Sequence, residues 1–251
     1  MTDGKQNLLI TGGGRGIGAA VARHAAQRGW RVAINYARDS QSADALVREI
    51  EAGGGEAFAV RGDVGSEDEV LTLFEAVDAR FGQLHGLVNS AGIVAPRARL
   101  DEMDFSRLER MMRVNVVGTM LCAREAVKRM STRHGGGGGA IVNLSSVAAA
   151  LGSPSEYVDY ATSKGAVDTF TIGLARELAE EGIRVNAVRP GIIATEIHAS
   201  GGQPDRIERM KGFVPMKREG SPDEIAWPIL WLLSREASYT TGAILDVGGG
   251  R

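Results

Sequence analysis

The 251 residues carry 29 basic against 31 acidic side chains, a net charge of −2, and 43% are hydrophobic. That balance provides no field to recruit nucleic acid or an anionic membrane, and the length suits one α/β domain with a sizeable core. Cys122 is the only cysteine, and His24, His85, His134 and His198 show no ligand spacing, so a metal-free, cytoplasmic protein without a disulfide is expected.

The stretch Met1 to Ile10 has no signal-peptide core, and no apolar run approaches the length of a membrane span. Asn7 to Thr11 reads as a short buried strand that runs straight into Gly12-Gly13-Gly14-Arg15-Gly16-Ile17-Gly18. An alanine-rich helical pattern follows to about Arg28, with Gly29 as its stop. Strand, glycine turn and helix in that order begin a dinucleotide-binding unit. The glycines (here Gly12, Gly16 and Gly18) let the backbone approach a pyrophosphate, and the helix start supplies free N–H groups.

Arg31 to Tyr36 is the second strand. An acidic residue near this strand end usually takes the ribose hydroxyls of NAD, but Asn35-Tyr36-Ala37-Arg38 has no carboxylate. Arg15 and Arg38 are candidates to meet a 2′-phosphate, although either also suits a solvated surface position and Asp39 lies close by. The charge logic favours NADP.

A helix over Ser42 to Ala52, closed by glycines, leads to a third strand over Glu56 to Val60. Asp63-Val64 follows it; Asp63 suits an adenine amine or a turn. Ser66 and Glu69 form a capping-box pattern that opens a helix to about Phe81. Leu84 to Val88 is a fourth strand, followed by Asn89-Ser90-Ala91-Gly92, whose small residues leave room for a flat ligand or simply make a turn. A long helical region runs from Met103 to Met130, with a kink expected near Val114 to Gly118. Asn115 in its middle either bonds a backbone carbonyl or holds water.

Ile141 to Leu144 is the fifth strand and delivers Ser145-Ser146 to the sheet edge. Val147 to Asp159 reads as a loop before a helix to about Glu181. In that helix Tyr160 and Lys164 stand one turn apart on the same face. An ammonium beside a phenol pulls the tyrosine pKa down towards the working range, which makes Tyr160 a candidate general acid or base. The plain alternative is a helical Tyr/Lys pair with its lysine in solvent. Ile183 to Val188 is a sixth strand ending near Pro190-Gly191. Residues 192–220 read as an irregular lid with a short helical piece near Asp205 to Lys211. Ser221 to Glu224 combines an N-cap, a proline and a capping box ahead of a helix to Ser234, and Ala243 to Val247 is a seventh strand. The alternation predicts a single-domain Rossmann fold over residues 1–251, a doubly wound seven-stranded parallel sheet with helices on both faces.

Thr11 to Gly18, Asp63, Asn89 to Gly92, Asn115, Ser146, Tyr160 to Lys164 and Pro190-Gly191 occur in the order found in the short-chain dehydrogenase/reductase (SDR) family, which the chain resembles over nearly its whole length. The resemblance implies that Tyr160 is the catalytic acid/base and that Lys164 tunes it and bonds the nicotinamide ribose. It further implies that Ser146, and not Ser145, bonds the substrate oxygen, and that Asn115 holds a relay water. It places Gly12, Arg15, Gly16, Ile17, Gly18, Tyr36 and Arg38 around the pyrophosphate and adenosine ribose, and Asp63 and Val64 beside the adenine. Asn89, Ala91 and Gly92 would follow the ribose side, with Pro190, Gly191, Ile193 and Thr195 at the nicotinamide end. The segment from Ser146 to Tyr160 is about one residue longer than is usual in the family.

The function so implied is hydride transfer between NADP(H) and a carbonyl or secondary alcohol, in the manner of a beta-ketoacyl carrier-protein reductase or of a glucose dehydrogenase. A carrier protein would want a basic entrance, for which Arg97, Arg99, Arg107, Arg110 and Arg113 are candidates. A catalytically silent dinucleotide sensor is the alternative, though it has no need of Ser146, Tyr160, Lys164 and Asn115 together. The family usually forms dimers or tetramers, and a homo-oligomer is expected.

Overall fold

Seven strands run in one direction. In the computed structural model, which describes residues 5–251, they are β1 (Asn7–Thr11), β2 (Arg31–Tyr36), β3 (Glu56–Arg61), β4 (Gly86–Asn89), β5 (Gly139–Leu144), β6 (Ile183–Pro190) and β7 (Ile244–Val247). They form one parallel sheet in the order β3-β2-β1-β4-β5-β6-β7. The helices are α1 (Gly16–Gln27), α2 (Ser40–Ala52), α3 (Glu67–Phe81), α4 (Phe105–Met112), α5 (Gly118–Met130), α6 (Ala148–Leu151), α7 (Val158–Leu178), α8 (Ile197–Ser200), α9 (Arg206–Lys211) and α10 (Pro222–Leu233). The doubly wound Rossmann sheet expected from the sequence is what the chain adopts.

Side chains alternate across a strand, and β1 shows what this does for the core. Leu8 and Ile10 join the cluster under α1, α2 and α10, while Leu9 joins the cluster under α3, α5 and α7. All three are fully buried, each contributing about 1.5–3 kcal/mol by leaving water. The strand order reverses between β1 and β4, so the loops after these strands diverge and leave a crevice at the sheet's carboxyl edge.

Several local readings change in three dimensions. The Ser66/Glu69 capping box does not form: Ser66 makes no side-chain cap bond, and Glu69 accepts the Asp63 amide at 2.9 Å. The turn in which Ser66 N–H meets the Asp63 carbonyl places that amide nearby. At α10 the box does form, Ser221 and Glu224 bonding reciprocally with Pro222 at the start. The kink expected near Val114 is a π-helical turn, Arg113–Val117, between α4 and α5; such single turns relieve a local insertion in a helix. β4 starts and ends later than predicted, which brings Asn89 into the strand opposite Asn143.

α6 lies inside the segment predicted as loop, and beyond it Gly152, Ser153 and Ser155 all take left-handed backbone, with φ of 74°, 45° and 58°. That conformation costs a serine roughly 1–2 kcal/mol. Residues 192–220 carry the short α8 and α9, and their two ends are pinned by a parallel bridge between Ile193 and Gly220.

Candidate active site

The cleft after β1 and β4 is built by glycine. A Cβ on Gly12 would lie 2.7 Å from Ala91 Cα, and one on Gly18 would lie 2.5 Å from the Gly12 carbonyl oxygen. Only hydrogen fits at either position, so loop, strand and helix close tightly. Gly12 and Gly16 also have φ of +61° and +52°, conformations that L side chains resist. The Thr11 hydroxyl oxygen accepts the Ser90 and Ala91 amides at 3.1 and 3.2 Å, which pins the facing loop. α1 starts with no side-chain cap and no acidic residue in its first turn, so its positive end is left uncompensated. The cleft over it holds about 570 Å³. Glycine walls and an open helix start fit the diphosphate of a dinucleotide.

Gly12, Arg15, Gly16, Ile17, Tyr36, Arg38, Asp63, Val64, Ala91, Gly92 and Thr195 line this cleft. Gly18 lies behind it as a packing residue. Asn89 does not line it either. Its amide donates to Asn143 Oδ1 at 2.9 Å, and Asn143 donates to Thr171, so the side chain belongs to a buried polar row. Both carboxylate oxygens of Asp63 have protein partners, the Gly65 amide and Arg110. Asp39 caps α2 through Ser42, which holds its carboxyl below the usual range, and Arg15 stands 3.6 Å away. Arg38 is exposed and makes no ion pair among the described residues.

A second, smaller cavity of about 130 Å³ opens beside the first and shares Ile17, Gly92 and Thr195 with it. Ser146, Tyr160, Lys164, Pro190, Gly191 and Ile193 line it. The adjacent serines separate as strand geometry requires. Ser145 is buried with its hydroxyl on the Lys164 carbonyl at 3.2 Å, whereas Ser146 faces the cavity and its oxygen accepts the Ala148 amide.

Lys164 is buried. Its Nζ donates to the Leu144 carbonyl at 2.7 Å and lies 5.6 Å from the centre of the Tyr160 ring. Burial pushes its pKa down to about 8, against the pull of Asp168. Burial also raises the Tyr160 phenol above its ordinary value, and the Ser146 hydroxyl and then the Arg206 guanidinium oppose that rise. The depression expected from Lys164 is therefore not the net result of the protein's own groups: removal from water outweighs the neighbours.

Asn115 sits in the π turn, fully buried. Its amide donates to the Ile93 carbonyl and to Ser163, and its Oδ1 accepts the Ile93 amide at 2.8 Å. The side chain thus clamps the loop beside Gly92, where a Cβ would lie 3.5 Å from Asn115 Oδ1 and 3.6 Å from Lys164 Nζ.

The family described as enoyl-(acyl carrier protein) reductase matches residues 12–251. The chain is 51% identical to the uncharacterized oxidoreductase YgfF of Escherichia coli, over 97% of this chain and 98% of the relative. The chain belongs to the short-chain dehydrogenase/reductase family. It is 37% identical to glucose 1-dehydrogenase 2 of Bacillus subtilis (98% of this chain, 94% of the relative) and 38% identical to a 3-oxoacyl-[acyl-carrier-protein] reductase of Synechocystis (98% and 96%). A dehydrogenase/reductase from Sinorhizobium meliloti superposes with a TM-score of 0.90 at 33% identity, covering 98% and 94% of the two chains. The protein is an oxidoreductase of the SDR type, an NAD(P)-dependent class of enzyme.

In this SDR chain, the arginines singled out as a basic entrance have partners nearby. Arg107 grips Asp159 through Nε and Nη2 and also bonds the Pro96 carbonyl, tying α4 to the start of α7 one residue before Tyr160. Arg110 pairs with Asp63, Arg113 with Glu109 and Arg99 with Asp101, and Arg97 bonds the Ser155 carbonyl. Neither Arg206 nor Tyr157 was among the site residues expected from the sequence, and both line the inner cavity. Tyr157 is buried edge-on to Tyr160 at 5.6 Å, and burial pushes its phenol up to about 12. No local spacing marks Arg206, because its partners come from the loop before α7.

Among the described residues, no helix is long and apolar enough to cross a membrane, and no group of three or more His, Cys, Asp or Glu side chains could hold a metal ion. The Cys122 thiol is buried and pushed up to about 12.

Proposed function

We propose that this chain transfers hydride between NADP(H) and a small carbonyl or secondary alcohol, with Tyr160 as the proton donor and acceptor. The supporting observation is the meeting of Ser146, Tyr160 and Lys164 where the glycine-walled cleft opens into the inner cavity. The α1 start would hold the pyrophosphate, Arg15 and Arg38 the 2′-phosphate, and Asp63 and Val64 the adenine end. Tyr160 and Lys164 would bond the nicotinamide ribose, with Pro190, Gly191, Ile193 and Thr195 along the ring. When bound, the cofactor supplies or accepts the hydride.

The chain's own residues handle the oxygen. Tyr160 gives its proton to the carbonyl oxygen in reduction and takes the alcohol proton in oxidation. Ser146 donates to the same oxygen and steadies the developing alkoxide. Lys164, charged at neutral pH, stabilises the phenolate and passes a proton on through a water held near Asn115. Because burial keeps the phenol protonated at neutral pH, reduction finds Tyr160 in the form it needs.

NADP is favoured over NAD because Asp39 is spent on capping α2 and on Arg15, while Arg38 keeps its guanidinium open. A free small molecule is favoured over a carrier-bound one, because the arginines around α4 already have partners within the chain. Residues 192–220 act as the lid. The half-exposed edge strand β7 and the exposed Val117 and Met120 on the π turn and α5 suit a homodimer or tetramer, which light scattering would size. The deciding experiment is a panel of ketones, aldehydes and alcohols followed at about 340 nm, the reduced-nicotinamide band, with each cofactor. Turnover lost in Tyr160→Phe supports the reading. Equal efficiency with NADH and NADPH would remove the NADP assignment, and no turnover of any compound would remove the enzyme assignment of these residues.

A further inference from the structure

The inner cavity contains a cation whose hydrogen-bonding edge is only half used. Arg206, on α9, is 5% exposed and lines the cavity. Its Nη1 donates to Glu156 at 2.6 Å, and its guanidinium carbon lies 4.6 Å from the Tyr157 ring centre, stacked on the aromatic face. Its Nε–H has no acceptor among the described residues. Among the described residues three buried side-chain polar atoms lack a partner, on Asn89, Asp168 and Arg206, and only Arg206 belongs to the cavity wall.

The geometry of guanidinium makes that gap specific. Nε–H and Nη2 share one edge of the planar group and fit two oxygens of one carboxylate. This chain fills that edge elsewhere in just this way, at Arg107 on Asp159. In Arg206 the pairing with Glu156 goes through Nη1, on the other side of the group, and Nε–H is left without an acceptor among the described residues. A buried donor left unpaired is a cost that a ligand oxygen recovers on binding. Arg251 lines the same cavity.

We propose that Arg206 is the substrate anchor, and that the substrate is a small oxo or hydroxy acid whose carboxylate docks on the Nε/Nη2 edge. This rests on the hydride-transfer reading above and narrows its substrate class. Tyr157 separates the anchor from the reacting end, its ring 5.6 Å from that of Tyr160. The nicotinamide ring is assigned to the same cavity of about 130 Å³, so the substrate that fits beside it is small. A long acyl chain or a hexose would have to leave most of its atoms outside.

The test compares acetoacetate with its methyl ester as substrates with NADPH, and butyrate with butyramide as non-reacting probes by titration calorimetry in the presence of NADP. Wild type, Arg206→Lys and Arg206→Met are used, with circular dichroism to confirm folding. Lysine keeps the charge and loses the fork. The expected wild-type preference for the acid and for butyrate is about 10–100-fold, the range of a charge-assisted bidentate pair, and both ratios fall towards one in the two variants. A wild type that does not distinguish butyrate from butyramide overturns the anchor without reference to any variant. So does a methionine variant that keeps the full wild-type ratios. Butyrate discrimination that depends on Arg206, without turnover of either acetoacetate or its ester, upholds the anchor and counts against the hydride-transfer reading instead.

Discussion

The Lys164 ammonium stands 5.6 Å from the centre of the Tyr160 ring, and its short hydrogen bond goes to the Leu144 carbonyl at the end of β5. The strand end thus holds the lysine, and the phenol is left to the Ser146 hydroxyl. Four residues along α7 put both groups on one face, and β5 decides what the lysine touches.

Tyr160→Phe removes the transferable proton and keeps the ring. Its kcat should fall by about 10²–10⁴-fold, the usual worth of general acid–base catalysis, with NADPH affinity nearly unchanged. In wild type the reduction rate should hold through neutral pH and decline as pH rises through the Tyr160 pKa, because reduction consumes the phenol proton. Burial places that decline on the alkaline side. A reduction rate that climbs steadily with pH would sink the assignment, as would a variant with near-normal turnover.

Lys164 ties pH to stability. Its folded pKa of about 8 lies below the unfolded value of about 10.4 for lysine, so the unfolded chain binds more protons between the two. Its burial therefore costs stability below about pH 8, and that cost is relieved as pH climbs towards 10.4. Lys164→Met should lose this upward component in urea midpoints measured across that window, while also losing turnover. An unchanged slope would show that the ammonium is not desolvated in the folded state.

Arg38→Ala should raise the Michaelis constant for NADPH by about 10-fold or more, the worth of a charge-assisted hydrogen bond, and barely change that for NADH. Equal changes for the two cofactors would show that Arg38 meets no phosphate. Arg15→Ala should act more weakly, since Arg15 already stands beside Asp39.

Asn115→Ala strips the Ile93 amide and carbonyl of their side-chain partner in a buried setting. The cost should be roughly 1–3 kcal/mol in chemical denaturation. Because Ile93 follows Gly92 on the wall of the cleft, cofactor affinity should fall with it. A variant as stable as wild type would mean that the π turn does not depend on this clamp.

The β-α alternation, the glycine turn after β1 and the one-turn spacing of Tyr160 and Lys164 were all legible in the sequence. Each depends on neighbours in the chain: strand and helix periodicities, glycine stops, and residues four apart on a helix. Partners brought from afar were not legible. Asn89 turned from the cleft to Asn143, 54 residues on. Arg206 found Glu156 across 50 residues.

The same division separates the identity of the candidate catalytic groups from their ionisation. Local spacing alone picked out a phenol with an ammonium beside it, and with the other motifs it pointed to SDR chemistry. Only the tertiary structure decided that the phenol rises and the lysine falls, because desolvation sums over every element packed around a group. It also decided which guanidiniums are spent on carboxylates of this chain, and that Arg206 keeps its Nε–H in reserve.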